Sequence, residues 1–497
     1  MAIAYNTNYE LRTGGNDNNG GGFVPGSSGT DYSQQNSAQY SFSDLASTNG
    51  TTSPSTVTSA SHSFVAADVG NIMHITAGTN WTTGFYQIVS VSAGAATLDR
   101  AVGTSATLSG GTYAVGGALA TFQEAFNACQ NSTSGGAGNG IVIWTQKGTY
   151  TITVTITTTV EVNAQYISFI GYDTTRGDNT GNKPLLTTAT NSTDLIHATF
   201  SGITVNSIFL FDNINFSNTA ATTAMGYVNS TLGASLRFRR CKFTGFSNAI
   251  NADNAGGRTV CGSFSVIQCE FASCTLEAIK IVLFPNSNTN GNGVGFIVGS
   301  YIHNCNSAGT GAGGAIISGS NGNAECLYIV DSIFDSNTGN GIQLAAPPVH
   351  YVKIWGSNFT NNTTGGDGIK LTTQEFPQSE IYNCIFWGNT NWGIEMAGAT
   401  APSDILGFNN AFGNNTTGAF SGISNSFATQ LGQITLTANP FTSSTNFALN
   451  NTPGGGALLK ALGWPNAFGS TTISAPDVGA VQSRSAATTQ APYAFVH

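Results

Sequence analysis

The sequence predicts an all-β protein built around a right-handed parallel β-helix. Only 8% of its 497 residues are charged, whereas a soluble domain usually has about 25%. Together with 62 glycines and many Asn, Ser and Thr residues, this composition argues against long helices. An apolar strand motif also recurs every 25–32 residues between about 205 and 425. Repeats of this length, with two or three short strands each, are typical of β-solenoids.

Each copy of the repeat ends in an apolar anchor residue, which we number as position 0. The eight anchors are Phe216, Phe243, Phe271, Ile302, Phe334, Phe359, Phe386 and Phe412. Positions −7 and −5 are mostly aliphatic or Phe and are expected to face inward, with small residues at position −2. Asparagines stand at position +3 in four copies, and stacked rungs would join these amides into a ladder. We expect about ten rungs, each roughly 4.8 Å above the last.

The regions around the repeat differ in composition. Residues 117–129 form an amphipathic pattern that predicts an α-helix capping the open end of the coil. Residues 57–116 predict a small antiparallel β-domain, and residues 1–56 are a Gly/Asn/Ser-rich arm that we expect other subunits to hold. The capping helix and β-helix together span residues 117–424, and residues 425–497 supply the C-terminal rungs and tail.

The entry to the coil carries family-like motifs. IVIWTQKGTYTIT at 141–153 and ISFIGY at 167–172 resemble the opening rungs of the pectin-lyase-like superfamily of right-handed parallel β-helix proteins. The start MAIAYN has no pattern of a signal peptide, so we expect synthesis in a cytoplasm. With the N-terminal β-domain, the chain is most similar to phage tailspikes, fibres and virion appendages. That resemblance implies a homotrimer located in a virion, whose N-terminal region contacts other virion proteins.

Charge and motif content exclude several classes of partner. The 24 acidic residues outnumber the 15 basic ones, for a net charge of −9, which argues against nucleic acid. No apolar run approaches the 18 residues of a membrane span. The six histidines are scattered without the spacing of metal ligands, so we expect neither a metal nor another cofactor.

Catalysis in this superfamily depends on clustered acidic residues on the outside of adjacent rungs. In the repeat, three outward glutamates instead lie one rung from a lysine: Lys242 and Glu270, Lys353 and Glu380, Lys370 and Glu395. Opposite charges at this spacing are ordinary cross-strand pairs, and Asp331, Asp335 and Asp367 are interpreted as bend residues. We therefore predict no catalytic residue.

Position −4 should face outward, yet it is apolar from the third copy onward. The column consists of Ile267, Val298, Val330, Trp355, Tyr382 and Phe408. A patch of this size on a monomer is unusual, so it is predicted to be a subunit interface, or to be covered by the chain's own loops or C-terminal segment. Three aromatic residues are candidates for stacking on a host glycan: Trp355, Tyr382 and Trp392.

The favoured function is that of a non-enzymatic virion structural protein, such as a phage spike, fibre or capsid decoration, in contact with host surface glycans. Two alternatives stay open. One is a polysaccharide lyase or hydrolase of the β-helix superfamily, and the other is a carbohydrate-binding surface adhesin.

Overall fold

A computed structural model provides the structure of the chain. It describes residues 6–130, 139–161, 165–179, 181–189, 194–201, 208–220, 225–229, 235–252, 263–282, 293–306, 313–318, 326–345, 351–372, 379–397, 405–421, 427–460, 462–463 and 477–481. The chain divides into two compact units, Met1–Val294 and Gly295–His497. Both are built from parallel β-helix coils with three sheets, called A, B and C below.

The first unit begins with an arm and a closed barrel. The arm strand Asn8–Leu11 pairs in parallel with Val142–Thr145 of the solenoid and antiparallel with Gly22–Phe23. A six-stranded antiparallel barrel follows, with strands Tyr40–Ser47, Ser55–Thr58, Ile72–Ala77, Gly84–Ser92, Ala95–Leu98 and Leu108–Val115 and a 3-10 turn at Ala66–Asp68.

The β-domain therefore starts at Tyr40 and not at residue 57. Its first strand, YSFSDLAS, is rich in serine and half exposed, so its sequence resembles that of the arm. The arm is held by its own chain, whereas the sequence suggested other subunits. Glu10 is fully buried and accepts hydrogen bonds from Arg12 and Arg176, each at 2.7 Å.

The capping helix spans Phe122–Gln130, five residues later than the predicted start at 117. Thr121 caps its N-terminus, since its hydroxyl accepts a hydrogen bond from the Glu124 N–H at 3.1 Å. The preceding backbone is held outside the helix because the N–H groups of Ala120 and Thr121 both donate to Asp17, at 2.9 Å. Phe122 and Phe126 pack on Phe169 of the first rungs, as expected for a cap.

The solenoid of the first unit has five strands in each sheet. Sheet A contains Asn139–Gln146, Gln165–Tyr172, Ile208–Asp212, Ser235–Arg239 and Ser263–Ile267. Sheet B contains Thr149–Thr151, Leu185–Thr188, Asn215–Asn218, Lys242–Thr244 and Glu270–Ala272. Sheet C contains Ile156–Glu161, Ile196–Ser201, Tyr227–Asn229, Ile250–Ala252 and Ile279–Val282.

The second unit repeats the same arrangement. Sheet A contains Val294–Val298, Cys326–Val330, Tyr351–Trp355, Ser379–Tyr382, Ile405–Phe408 and Phe427–Leu431. Sheet B contains Tyr301–His303, Ile333–Asp335, Asn358–Thr360, Ile385–Trp387, Ala411–Gly413 and Ile434–Thr435. Sheet C contains Ala315–Ser318, Ile342–Ala345, Ile369–Leu371, Trp392–Met396 and Gly418–Ser421, and a 3-10 turn lies at Gly456–Leu458.

The predicted repeat is confirmed by the register of the sheets. Phe359 lies opposite Phe334 on one side and Phe386 on the other, and its ring stacks on theirs at centroid distances of 5.0 and 5.2 Å. Over the described residues of both units, sheets A and B contain eleven solenoid strands each and sheet C contains ten, close to the ten rungs expected.

Two bends of the rung hold a residue in the left-handed backbone region in nearly all described rungs. One is position −3, where φ lies between +48° and +71° in every described rung from Asn213 to Gly432. The other is position +2, as at Ser273, Asn304 and Asn361. Asn and Gly tolerate this conformation best.

The C-terminal segment of the second unit packs on the outside of sheet B. Leu436, Phe441, Phe447, Leu449, Leu459 and Val478 form one apolar cluster with Ile385 and Ala411. The backbone of this segment is anchored there as well, because the N–H of Gly479 donates to the carbonyl of Asn383 at 2.7 Å. The segment thus covers the outward column at position −1.

Candidate functional site

Each of the six residues of the predicted interface lies at the outward −4 position of a sheet A strand. Ile267 belongs to the first unit and the other five to the second. Val330 and Trp355 are only 6% and 5% exposed. The remaining four side chains are half-buried. The centre of the column is therefore covered by the chain itself, and its ends retain apolar surface.

The aromatic side chains of this face contact one another. Trp355 stacks on Tyr382 at 6.2 Å with an angle of 8° between the rings, and Lys353 Nζ lies 5.6 Å from the Trp355 ring centre. Tyr328 meets Trp355 edge to face, as Phe408 meets Tyr382. Because Trp355 already contacts Tyr382 and Lys353 through its ring, it offers a sugar little free surface. Burial, and then the charge of Glu380, raises the pKa of Tyr382 to about 12.

Trp392 lies elsewhere, on sheet C of the second unit, so the three candidate stacking residues are not brought together. Its ring lies over Gly418, where an added Cβ would be 2.6 Å from a ring carbon. The side chain is half-buried. Its backbone N–H donates to Oδ1 of Asp367 at 3.0 Å, which places Trp392 beside an acidic pair.

That acidic pair consists of Asp367, in the bend before strand Ile369–Leu371, and Glu395 on the next strand of sheet C. Lys370 Nζ lies 2.6 Å from Glu395 Oε2 and 3.9 Å from Asp367 Oδ2. Burial, and then the hydrogen bond with Glu395, raises the pKa of Asp367 to about 7. Burial also opposes ionisation of Glu395, but hydrogen bonds with Asp367 and Lys370 leave its pKa below the usual value. Asp367 and Glu395 therefore share a proton near neutral pH.

The pairing of Lys370 with Glu395 agrees with the sequence, as do the pairs Lys242–Glu270 at 2.8 Å and Lys353–Glu380 at 3.2 Å. The contact of Asp367 with Glu395 was missed. The repeat aligns outward positions within strands, whereas Asp367 lies in a bend outside that alignment. The only signal for it is the unusual acid in the glycine-rich sequence GGDG.

The chemistry open to this pair is limited by access. Asp367 is fully buried, so its carboxyl cannot reach a ligand without movement of the bend. Glycosidases also separate their two carboxyl groups by about 5 to 9.5 Å, whereas these two are hydrogen-bonded. In this conformation the carboxyl group of Asp367 is held inside the coil, away from any ligand at the surface.

In the described parts of the chain, no three His, Cys, Asp or Glu side chains gather as a metal site would require. Likewise, the one α-helix found there is too short to cross a membrane.

Comparisons with known proteins give fold likenesses only. Neither protein-family models nor curated protein sequences match the chain. The A-module of mannuronan C-5 epimerase AlgE6 from Azotobacter vinelandii is 11% identical, over 60% of this chain and 92% of that one, with a TM-score of 0.35. Pectate lyase Pel9A is 14% identical, over 74% and 92%, with a TM-score of 0.39. ORF18 of Geobacillus virus E2 is 13% identical, over 64% and 58%, with a TM-score of 0.28.

Proposed function

We propose that this chain is a non-enzymatic structural protein of a virion, a spike, fibre or capsid appendage, that assembles as a homotrimer. The observation that carries the proposal is the apolar outer face of sheet A. Val298, Tyr328, Tyr382 and Phe408 remain half-exposed there, although the core on the other side of the same strands is already complete.

Association of identical copies would bury this face. Each square ångström of apolar surface removed from water contributes about 25 cal/mol. In a cyclic trimer, side chains at the threefold axis meet their own copies from the other two subunits, so a single column placed at the axis suffices. The half-exposed ends of the column are the parts available for this contact.

The acidic pair supports the non-enzymatic role. Because Asp367 is closed off from solvent, the pair lacks the access that general acid catalysis requires.

The N-terminal region is the proposed contact with other virion proteins. Its barrel exposes two large apolar side chains, Val65 at 49% and Val89 at 47%. Two large apolar side chains left exposed on one small domain favour a protein contact there. Location in a virion rests on the resemblance of the sequence to tailspikes and appendages.

Light scattering tests the assembly. The wild-type chain is expected at three times its monomer mass, and Val298→Glu or Phe408→Glu should give monomers, since each places an unpaired charge in the contact. Val154→Glu is the control, because Val154 is 78% exposed in the first unit. Trp355 and Val330 are poorer choices, as they are buried within one chain. A monomeric wild type, or trimers that persist in both variants, would reject the proposed interface.

A polysaccharide lyase or hydrolase is the second candidate, favoured by the part-exposed side chains of Glu395 and Lys370 beside Trp392. Incubation with acidic and neutral polysaccharides, followed by assays for reducing ends and unsaturated uronates, tests it. Turnover that Glu395→Gln abolishes would replace the structural proposal with the enzymatic one. Glycan-array binding that is lost in Trp392→Ala would favour the adhesin.

A further inference from the structure

Basic residues are concentrated on one part of the first unit. Strand Ser235–Arg239 and the bend after it carry Arg237, Arg239 and Arg240. Lys242 begins the next strand, Lys242–Thr244, and Lys183 lies in the segment before Leu185–Thr188. These five residues are a third of the 15 basic residues in a chain of net charge −9. We call them the basic cluster.

A buried carboxylate positions two of its arginines. Asp212 is fully buried and accepts hydrogen bonds from Arg239 Nε at 3.0 Å and from Arg240 Nε at 2.8 Å. One carboxylate neutralises one guanidinium group, so this arrangement leaves a positive charge in excess. The side chain of Arg239 is nevertheless 48% exposed, and its charge is thus presented to solvent in a fixed orientation.

The other members add to that excess. Lys183 Nζ donates to the backbone carbonyl of Arg240 at 2.5 Å, which neutralises no charge. Lys242 is paired with Glu270. Arg237 has no acidic partner among the described residues. Among the described residues, five positive charges therefore face two carboxylates.

The geometry suits an extended anion. Arg237 and Arg239 are alternate outward residues of one strand, about 7 Å apart. Guanidinium groups bind tetrahedral oxyanions in a bidentate manner and stay charged at every physiological pH. We propose that the basic cluster binds an extended anion that carries sulfate or phosphate ester groups, for which esterified polysaccharides serve as the probes below. This inference does not depend on the proposed trimer or on the virion role.

Binding to immobilised dextran sulfate and to a phosphorylated mannan tests the proposal and separates the two esters. At low salt the wild-type chain should bind at least one of them and should not bind uncharged dextran. The affinity should fall steeply as salt increases, because bound counterions are released.

Two substitutions probe the cluster and leave Asp212 with at least one arginine partner. Arg237→Gln changes a residue with no acidic partner in the described chain, and Arg239→Gln leaves Arg240 on Asp212. Each should weaken binding about tenfold, as expected for a hydrogen bond to a charged group. Lys353→Gln, in the second unit, is the matched control and should bind as the wild type does.

Three results would overturn the proposal. They are absence of binding at low salt, unchanged affinity in both arginine variants with normal melting temperatures, and binding of polygalacturonate as tight as that of the esterified polymers. The last would show that any negative charge suffices. Oligomeric state, read separately by light scattering, reports on the proposed function alone.

Discussion

Single residues in the bends explain the unusual composition of the chain. Two positions per rung take a left-handed backbone, and they are occupied mainly by Asn, Gly, Ser and Asp. Other residue types cost about 1 kcal/mol or more in this conformation. Arg240 and Gln268 occupy it nonetheless, at φ of 55° and 54°. For Arg240 the bend also directs the guanidinium group toward Asp212.

The carboxyl of Asp367 makes stability depend on pH. In the folded protein it keeps its proton up to about pH 7. In the unfolded chain it ionises at about pH 4, the usual value for an exposed Asp. Between these values unfolding releases a proton, so the free energy of unfolding falls as pH rises. Asp367→Asn keeps the shape of the side chain but replaces the carboxyl with an amide that cannot ionise.

We therefore expect Asp367→Asn to be more stable than the wild type at pH 8, by about 2 kcal/mol. The lowered pKa of Glu395 stabilises the wild type at this pH and so offsets part of the gain. The gain should disappear near pH 4. Thermal unfolding at pH 4, 6 and 8 measures it. Glu380→Gln, which removes a carboxylate at the surface, should show no such gain. A variant that is less stable than the wild type at pH 8 would contradict shared protonation.

Among larger elements, the asparagine column at position +3 ties the rungs of the second unit together. The Nδ2 of Asn362 donates to Oδ1 of Asn389 at 2.8 Å, and the Nδ2 of Asn389 donates to Oδ1 of Asn415 at 2.9 Å. Asn337 donates to Asn362 in the same way at 3.3 Å. Asn337, Asn362 and Asn389 are fully buried, so each amide depends on its neighbours for hydrogen bonds.

Asn362→Ala should destabilise the second unit by about 2 kcal/mol, because it leaves the Nδ2 of Asn337 and one acceptor site of Asn389 with fewer partners in the core. Asn451→Ala is the control, since Asn451 is exposed. The melting temperature measures both. Equal melting temperatures for the two variants would show that the ladder contributes nothing measurable.

The asparagine column at position +3 was predictable from the sequence. The anchor residue fixes the register of each rung, so residues at a constant distance from the anchor stack on one another. The −3 bends were not found, since Asn, Arg, Gln, Gly and Asp alternate there and share only a backbone angle. Asp367 was also out of reach, because bends differ in length and the repeat does not align them. The first barrel strand was missed since its hydrophobic alternation is weak.

For the molecule as a whole, an open β-helix end is the weak point, because its terminal strands have unpaired backbone groups. In the first unit this end is closed by the arm and the capping helix. The arm strand Asn8–Leu11 covers the edge of Asn139–Gln146, and the hydroxyl of Tyr150 donates to the carbonyl of Leu11 at 3.1 Å. Glu10 supplies the ionic contacts described above.

Removal of residues 1–24 should therefore expose the apolar edge strand NGIVIWTQ and cause association through edge pairing. Dynamic light scattering of the shortened chain should show species larger than those of the full-length protein. Glu10→Gln distinguishes the ionic contacts of the arm from its strand pairing. It weakens the contacts with Arg12 and Arg176 but keeps the strand pairing, so its melting temperature should fall without association. If the shortened chain keeps the size of the full-length protein, the arm is not what protects this edge.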